Sequence, residues 1–227
     1  LNRFRDKLVP ITTLIGNKFG SLGLSPTFWS AIAFALAILS SILFGISKFL
    51  DANDIIFPSQ IIASILLLIS GFFDVVDGCV ARVLNKSTPK GAFLDSNFDK
   101  ISEALIFIGI AIGGLSNPIL AMIALSSSIL VSYLRARSES LGIELKGVGV
   151  GERAERLVIL SICGLIPITG SIQWGVIIII FLSIFSFIQR FWFVLKSSNE
   201  AFYPNLPVLL RSISDLTFTI PYEQRKK

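Results

Sequence analysis

A chain of 227 residues that is 53% hydrophobic and only 15% charged, with a mean hydropathy of +0.77, carries too little polar surface for a water-soluble domain of its size. It has no histidine, and its two cysteines, Cys79 and Cys163, sit in separate apolar stretches; this excludes imidazole acid–base chemistry and a disulfide framework, and both thiols are expected to be packing residues. The net charge of +5 is expected to reflect membrane topology and anionic headgroups, with no nucleic-acid partner.

From the N-terminus, Leu1, Phe4, Leu8, Ile11, Ile15 and Phe19 recur at helical spacing opposite Arg3, Lys7 and Lys18. That pattern predicts an amphipathic helix over 1–22 lying in the membrane interface. Charge and Pro10 interrupt the segment, so it does not read as a cleavable signal, and insertion is expected to rely on internal spans. Six apolar helical segments follow, at about 28–47, 59–84, 92–114, 118–141, 151–169 and 173–197. Phe28 to Ile46 and Trp174 to Ile188 hold no ionisable side chain, and the first would extend about 28 Å as a helix, close to the thickness of the hydrocarbon core. The expected architecture is an all-α integral membrane protein: the interfacial helix, six transmembrane helices over 28–197, and a cytoplasmic tail over 198–227. All of it, 1–227, reads as one membrane domain without internal repeat or linker.

Among basic residues, the loops near 48–58, 114–117 and 168–172 hold only Lys48. Arg82, Lys86, Lys90, Arg135, Arg137, Lys146, Arg153, Arg156 and Arg225, Lys226 and Lys227 fall on or near the opposite side. Cytoplasmic loops retain positive charge, so a multi-pass protein of the cell membrane with both termini in the cytoplasm is expected.

Charge inside the apolar segments marks the chemistry. Asp74 and Asp77 stand three apart with Gly78 beside them and Arg82 one turn on; Asp95 and Asp99 stand four apart in the next segment. Each spacing puts both carboxylates on one face of a helix. Four carboxylates converging near lipid need protons or cations to neutralise them, and oxygen ligands without histidine or cysteine select Mg2+, Mn2+ or Ca2+. A pair of such ions beside Arg82 suits diphosphate chemistry. Helix-end aspartates solvated by headgroup water are the plain structural alternative.

The run Asp74, Asp77, Gly78, Ala81, Arg82, Gly91, Asp95 and Asp99 resembles, at every spacing, the signature of the CDP-alcohol phosphotransferases. That resemblance implies an enzyme that transfers the lipid-linked phosphate of a CDP-lipid to an alcohol and releases CMP. It also implies Asp74, Asp77, Asp95 and Asp99 as ligands of Mg2+ or Mn2+, two ions, with Asp99 the general base. Ser25, Pro26, Thr27, Phe28, Asp74, Gly78, Ala81, Arg82, Thr88 and Gly91 are similar in position to the family's CDP-lipid contacts, and a homodimer in the lipid bilayer is implied by the same likeness.

The acceptor is read from a second charged cluster: Ser132, Arg135 and Arg137, then Glu152, Arg153, Glu155 and Arg156, and Arg190. Several arginines aimed into one cavity predict an anionic acceptor, since a phosphorylated alcohol satisfies them and a free polyol does not. The stretch from Arg135 to Gly142, followed by Gly151 to Arg156, resembles the inositol-phosphate branch of the family. That resemblance implies inositol 1-phosphate as acceptor, its phosphate bound by Ser132, Arg135, Arg153 and Arg190, and a CDP-archaeol or CDP-diacylglycerol donor. Glycerol 3-phosphate remains the alternative acceptor. The acids and arginines of 152–156 could instead pair along their own helix. A cation transporter or a non-catalytic membrane scaffold are rival classes, the first disfavoured because acids outside the cytoplasmic half are Asp51 and Asp54 of one loop.

Overall fold

The computed structural model describes residues 2–50, 58–145 and 148–202, and the side chains of 10–49, 59–145 and 148–197. The expected tail beyond 202, the side chains of Leu1, Arg3, Phe4, Lys7 and Leu8, and Lys146 lie outside the described residues.

Proline sets several helix starts, because its fixed φ and missing N–H fit the first helical turn. The described residues form α1 (Asn2–Gly20), α2 (Pro26–Leu50), α3 (Pro58–Val83), α4 (Pro89–Ile112), α5 (Pro118–Ser140), α6 (Arg153–Leu165) and α7 (Ser171–Phe202), with no strand among them. Thr88 caps α4 by accepting from the Gly91 N–H, and Asn117 caps α5 by accepting from the Ile119 N–H. The Glu155 carboxylate accepts from the N–H groups of Gly151 and Glu152 at 2.7 and 3.1 Å, closing the start of α6.

The six apolar segments all appear as helices, but they are not equivalent. α2, α3, α5 and α7 are long and apolar enough to cross a membrane. The segment expected over 151–169 is helical for only 13 residues, about 20 Å of rise, short of a full hydrocarbon core. α4 has the length but carries Asp95, Asp99, Lys100 and Glu103. Around the bundle, large apolar side chains such as Phe49, Ile119, Met122, Phe181 and Trp192 point outward, a surface suited to lipid.

Two apolar clusters hold the helices. One runs through Phe44, Leu67, Ile106, Ile110, Leu160 and Ile179 and joins α2, α3, α4, α6 and α7. The other lies at the aspartate end: Trp29 stacks on Phe73 at 5.6 Å and meets Phe19 of α1 edge-on at 5.1 Å. Ile15 and Phe19 therefore pack inward against α2 and α3, while Ile11 and Leu14 remain exposed. α1 is a helix as expected, anchored at its C-terminal end.

Between α2 and α4 the backbones nearly touch. A Cβ on Gly109 would collide with the Ser41 carbonyl, and the Ser41 hydroxyl donates to the Leu105 carbonyl at 2.5 Å. Ser40 to Ala63, Ser70 to Ala33 and Gln60 to Gly164 make similar side-chain-to-carbonyl bonds between helices. Small residues that admit close approach and hydroxyls that bond across helices are what apolar surroundings reward. Gly109→Val is expected to destabilise the fold by at least about 1–3 kcal/mol, read as a lower Tm by tryptophan fluorescence in detergent; a wild-type Tm would refute this close approach.

Candidate active site

Only residues 84–88 separate α3 from α4. The Lys86 N–H donates back to the Ala81 carbonyl at 3.0 Å, and Asn85 takes a φ of 50°, a left-handed conformation asparagine accepts better than most residues. α3 and α4 each pack on α2 rather than on each other, leaving a polar space between their charged halves. One carboxylate oxygen each from Asp74, Asp95 and Asp99 comes within 4.8 Å of the other two. Asp77 is 7% exposed, and its Oδ2 has no hydrogen-bond partner.

Two cavities open on this cluster. The first, about 370 Å³, is walled by the start of α2, the end of α3 and the start of α4, including Pro26, Thr27, Gly78, Ala81, Arg82, Thr88 and Gly91. Seven of the residues expected to contact the CDP-lipid therefore share one chamber. Ser25, Phe28 and Asp74 lie outside its wall: the Ser25 hydroxyl accepts from the Phe28 N–H at the start of α2, and the Phe28 ring lies edge-on to Trp29. Arg82 folds along its own helix, its Nε donating to the Gly78 carbonyl at 2.9 Å. Ser30, Lys86 and Ser87 also line the chamber; they follow from neighbours in space and had no spacing to flag them.

The second cavity, about 520 Å³, is bounded by α4, α5, α6 and α7 and includes Asp99, Ser132, Arg135, Arg153, Arg156 and Arg190. Ala92 and Asp95 line both cavities, so the two chambers meet at the carboxylate cluster. All four residues expected to hold the acceptor phosphate are in this one wall.

Arg153, Arg156 and Arg190 do not pair with an acid of their own helix. Arg153 Nη1 lies 3.0 Å from Asp74 Oδ2 and 2.5 Å from Asp99 Oδ1, and its buried Nε has no partner. Arg156 reaches Glu103 of α4, and Arg190 Nε donates to the Val148 carbonyl at 3.0 Å. Gly149, with φ of 98°, sits where a Cβ would press on Arg190 Nε and Ser186 Oγ at 2.6 Å. Arg135 alone pairs within its helix, with Glu139 at 3.0 Å, and is half exposed. Arg137 is exposed and outside the cavity wall. Glu103 had no assigned partner from sequence, although its position one turn after Asp99 puts it on the same face.

The profile of the CDP-alcohol phosphatidyltransferases matches residues 19–199. The chain belongs to the CDP-alcohol phosphatidyltransferase family. This phosphatidyltransferase is 34% identical over 190 residues to the archaetidylinositol phosphate synthase of Pyrococcus horikoshii, covering 84% of this chain and 94% of the relative. It is 43% identical over 139 residues to the archaetidylinositol phosphate synthase of Methanothermobacter thermautotrophicus, 60% and 71% of the two chains. Its fold is similar to the crystal structure of Mycobacterium tuberculosis phosphatidylinositol phosphate synthase with CDP-DAG bound: TM-score 0.66, 25% identity, over 82% of this chain and 94% of that one. The same synthase in complex with manganese and citrate aligns with a TM-score of 0.65 at 25% identity, over 81% and 88%. The protein is thus an enzyme, a transferase of phospholipid biosynthesis with membrane helices.

The phosphatidyltransferase's donor set fits a hard divalent cation: carboxylate oxygens only, three of them convergent, plus the unpartnered Asp77 Oδ2. Manganese titration followed by electron paramagnetic resonance checks the fit. Even residues behind a ligand change metal affinity by about 10–100-fold, so Asp95→Asn is expected to weaken Mn2+ binding at least that much. Unchanged affinity would remove Asp95 from the cation site.

Proposed function

We propose that this phosphatidyltransferase moves the lipid-linked phosphate of a CDP-lipid to 1L-myo-inositol 1-phosphate and releases CMP. The observation that carries this reading is the meeting of two chambers at Asp95, one beside Gly78 and Arg82, the other ringed by Arg135, Arg153, Arg156 and Arg190. A phosphorylated alcohol supplies the anion that such a wall needs. The names of the archaetidylinositol and phosphatidylinositol phosphate synthases among its relatives support inositol phosphate over glycerol 3-phosphate. The archaetidyl names at 34% and 43% identity favour an archaeol-type lipid on the donor.

In this reading the nucleotide lies in the chamber of Pro26, Thr27, Gly78, Ala81, Arg82, Thr88 and Gly91, with Ser25 and Phe28 shaping its rim from the start of α2. Gly78 lacks a side chain, which lets the nucleotide approach α3 closely. Ser132, Arg135, Arg153 and Arg190 hold the acceptor phosphate, and the free Nε of Arg153 is one donor ready for it. Asp99, fixed by Arg153 at 2.5 Å, takes the proton of the attacking hydroxyl as the new O–P bond to the lipid's β-phosphate forms and the P–O bond to CMP breaks. When bound, Mg2+ or Mn2+, two ions held by Asp74, Asp77, Asp95 and Asp99, supplies charge stabilisation at the phosphoryl oxygens. The enzyme works as a homodimer in the cell membrane, with α4 and, for part of the thickness, the short α6 adding to the four long spans, and with α1 lying at the interface. The aspartates and most basic residues share one end of the helices while Lys48 lies at the other, which supports cytoplasmic termini and a cytoplasmic site.

The deciding assay is CMP release by detergent-solubilised protein with CDP-lipid and Mg2+. Release that depends on inositol 1-phosphate supports the proposal; release with glycerol 3-phosphate alone reassigns the acceptor, and silence with every acceptor, both lipid types and Mn2+ favours a scaffold. Asp99→Asn is expected to lower turnover by about 10²–10⁴-fold while CDP-lipid binding stays measurable; robust turnover would remove Asp99 as base. Arg153→Ala deletes hydrogen bonds to a charged group, each about 1.5–3 kcal/mol. The acceptor KM should rise by about ten- to a hundredfold, and an unchanged KM would return Arg153 to a structural ion pair.

A further inference from the structure

Glu103 and Arg156 form a second ion pair one helical turn from Asp99 and Arg153, and both its side chains are only 3% exposed. Arg156 Nε and Nη2 donate to Glu103 Oε1 at 3.1 and 2.8 Å, and Nη1 donates to the Gly151 carbonyl at 2.7 Å. The flat guanidinium thus ties α4 to Gly151, which precedes the N-cap of α6. Gly151 is held at its other end too, its N–H donating to Glu155, and its φ of 80° with Leu182 packed close leaves little room for any other residue.

α4 and α6 are not backbone neighbours; they meet through side chains. Asp99–Arg153 and Glu103–Arg156 are two rungs across that gap. The first is open to the cavity, at 15% and 23% side-chain exposure for Arg153 and Asp99. The second is sealed over Ile106, Phe107, Leu157, Leu160 and Ile179. Glu103 is not in the wall of the acceptor-side cavity, whereas Arg156 is.

We propose that Glu103 is a positioning residue for the transfer, acting through Arg156 to fix Gly151 and the first turn of α6, so that Arg153 stands between Asp74 and Asp99. This role presupposes that the 520 Å³ cavity takes the phosphorylated acceptor. Glu103 is also the only acid facing Arg156 among its hydrogen-bond partners. Without its charge, the Arg156 guanidinium is left unbalanced in a wall already holding Arg153 and Arg190, and like charges at low dielectric repel strongly. The start of α6 then shifts, and Arg153 with it.

The test compares the unaltered chain, Glu103→Gln, Arg153→Ala and the double variant by CMP release, with donor and acceptor varied separately. Misplacing a binding group by an ångström can cost about a hundredfold. Glu103→Gln is therefore expected to raise the acceptor KM by about 10- to 100-fold and to leave the CDP-lipid KM within about twofold. In the Arg153→Ala background the same change should add no further rise, because its effect runs through Arg153. An unchanged acceptor KM, an equal rise in both KM values, or a full additional rise on Arg153→Ala overturns the role; a merely structural pair would lower Tm and yield with KM intact. Should Glu103→Gln not fold, Arg156→Lys takes its place with the same readouts, since one ammonium keeps the charge but cannot span Glu103 and Gly151 together. Silence of the unaltered chain with every phosphorylated acceptor overturns the acceptor reading and this role together, whereas a wrong KM pattern in an active enzyme overturns this role alone.

Discussion

Charge placed inside an apolar helical bundle has to be matched, and that requirement organises this protein. The acids and guanidinium groups of α3, α4, α5, α6 and α7 gather at one end around two adjoining cavities. Moving a lone ion out of water costs far more than any single packing contact returns. The buried pair of Glu103 and Arg156 and the pairing of Arg153 with Asp74 and Asp99 are therefore constraints on where α6 can sit relative to α3 and α4. Packing elsewhere accommodates those constraints.

The bundle divides the labour between its two halves. α2, α3 and the start of α4 build the chamber of Gly78 and Arg82, braced from outside by the aromatic contact of Phe19, Trp29 and Phe73. α5, α6 and α7 supply the arginine wall. α4 belongs to both, and it is held to α2 by a close backbone approach at Gly109 and Ser41. A rigid α4 shared by both chambers fixes their common edge at Ala92 and Asp95.

The short α6 is instructive. Its 13 residues read from sequence as part of a full span, since 151–169 is apolar after its charged start. Pro167 and Gly170 follow its C-terminus, and the chain turns into α7 within a few residues. The helix is long enough to carry Arg153 and Arg156 on one face and to bury Leu157 and Leu160 beneath them, and it ends there. Hydropathy sums composition over a window, so it registers the apolar stretch and misses the break inside it.

Sequence alone determined the helical class, the approximate start of every core helix, and the two aspartate pairs, because helical periodicity converts a spacing of three or four into a shared face. It also grouped Arg135, Arg153 and Arg190, and these three line one cavity wall. Partner choice was beyond it. Arg156 had a local partner at helical spacing, Glu152, yet it turned to Glu103 on a distant helix, while Glu155 took the N–H groups of Gly151 and Glu152. Only tertiary packing decided this, since it alone sets which ends are buried and which opposite charge is near, and burial makes the distant pair stronger than the local one.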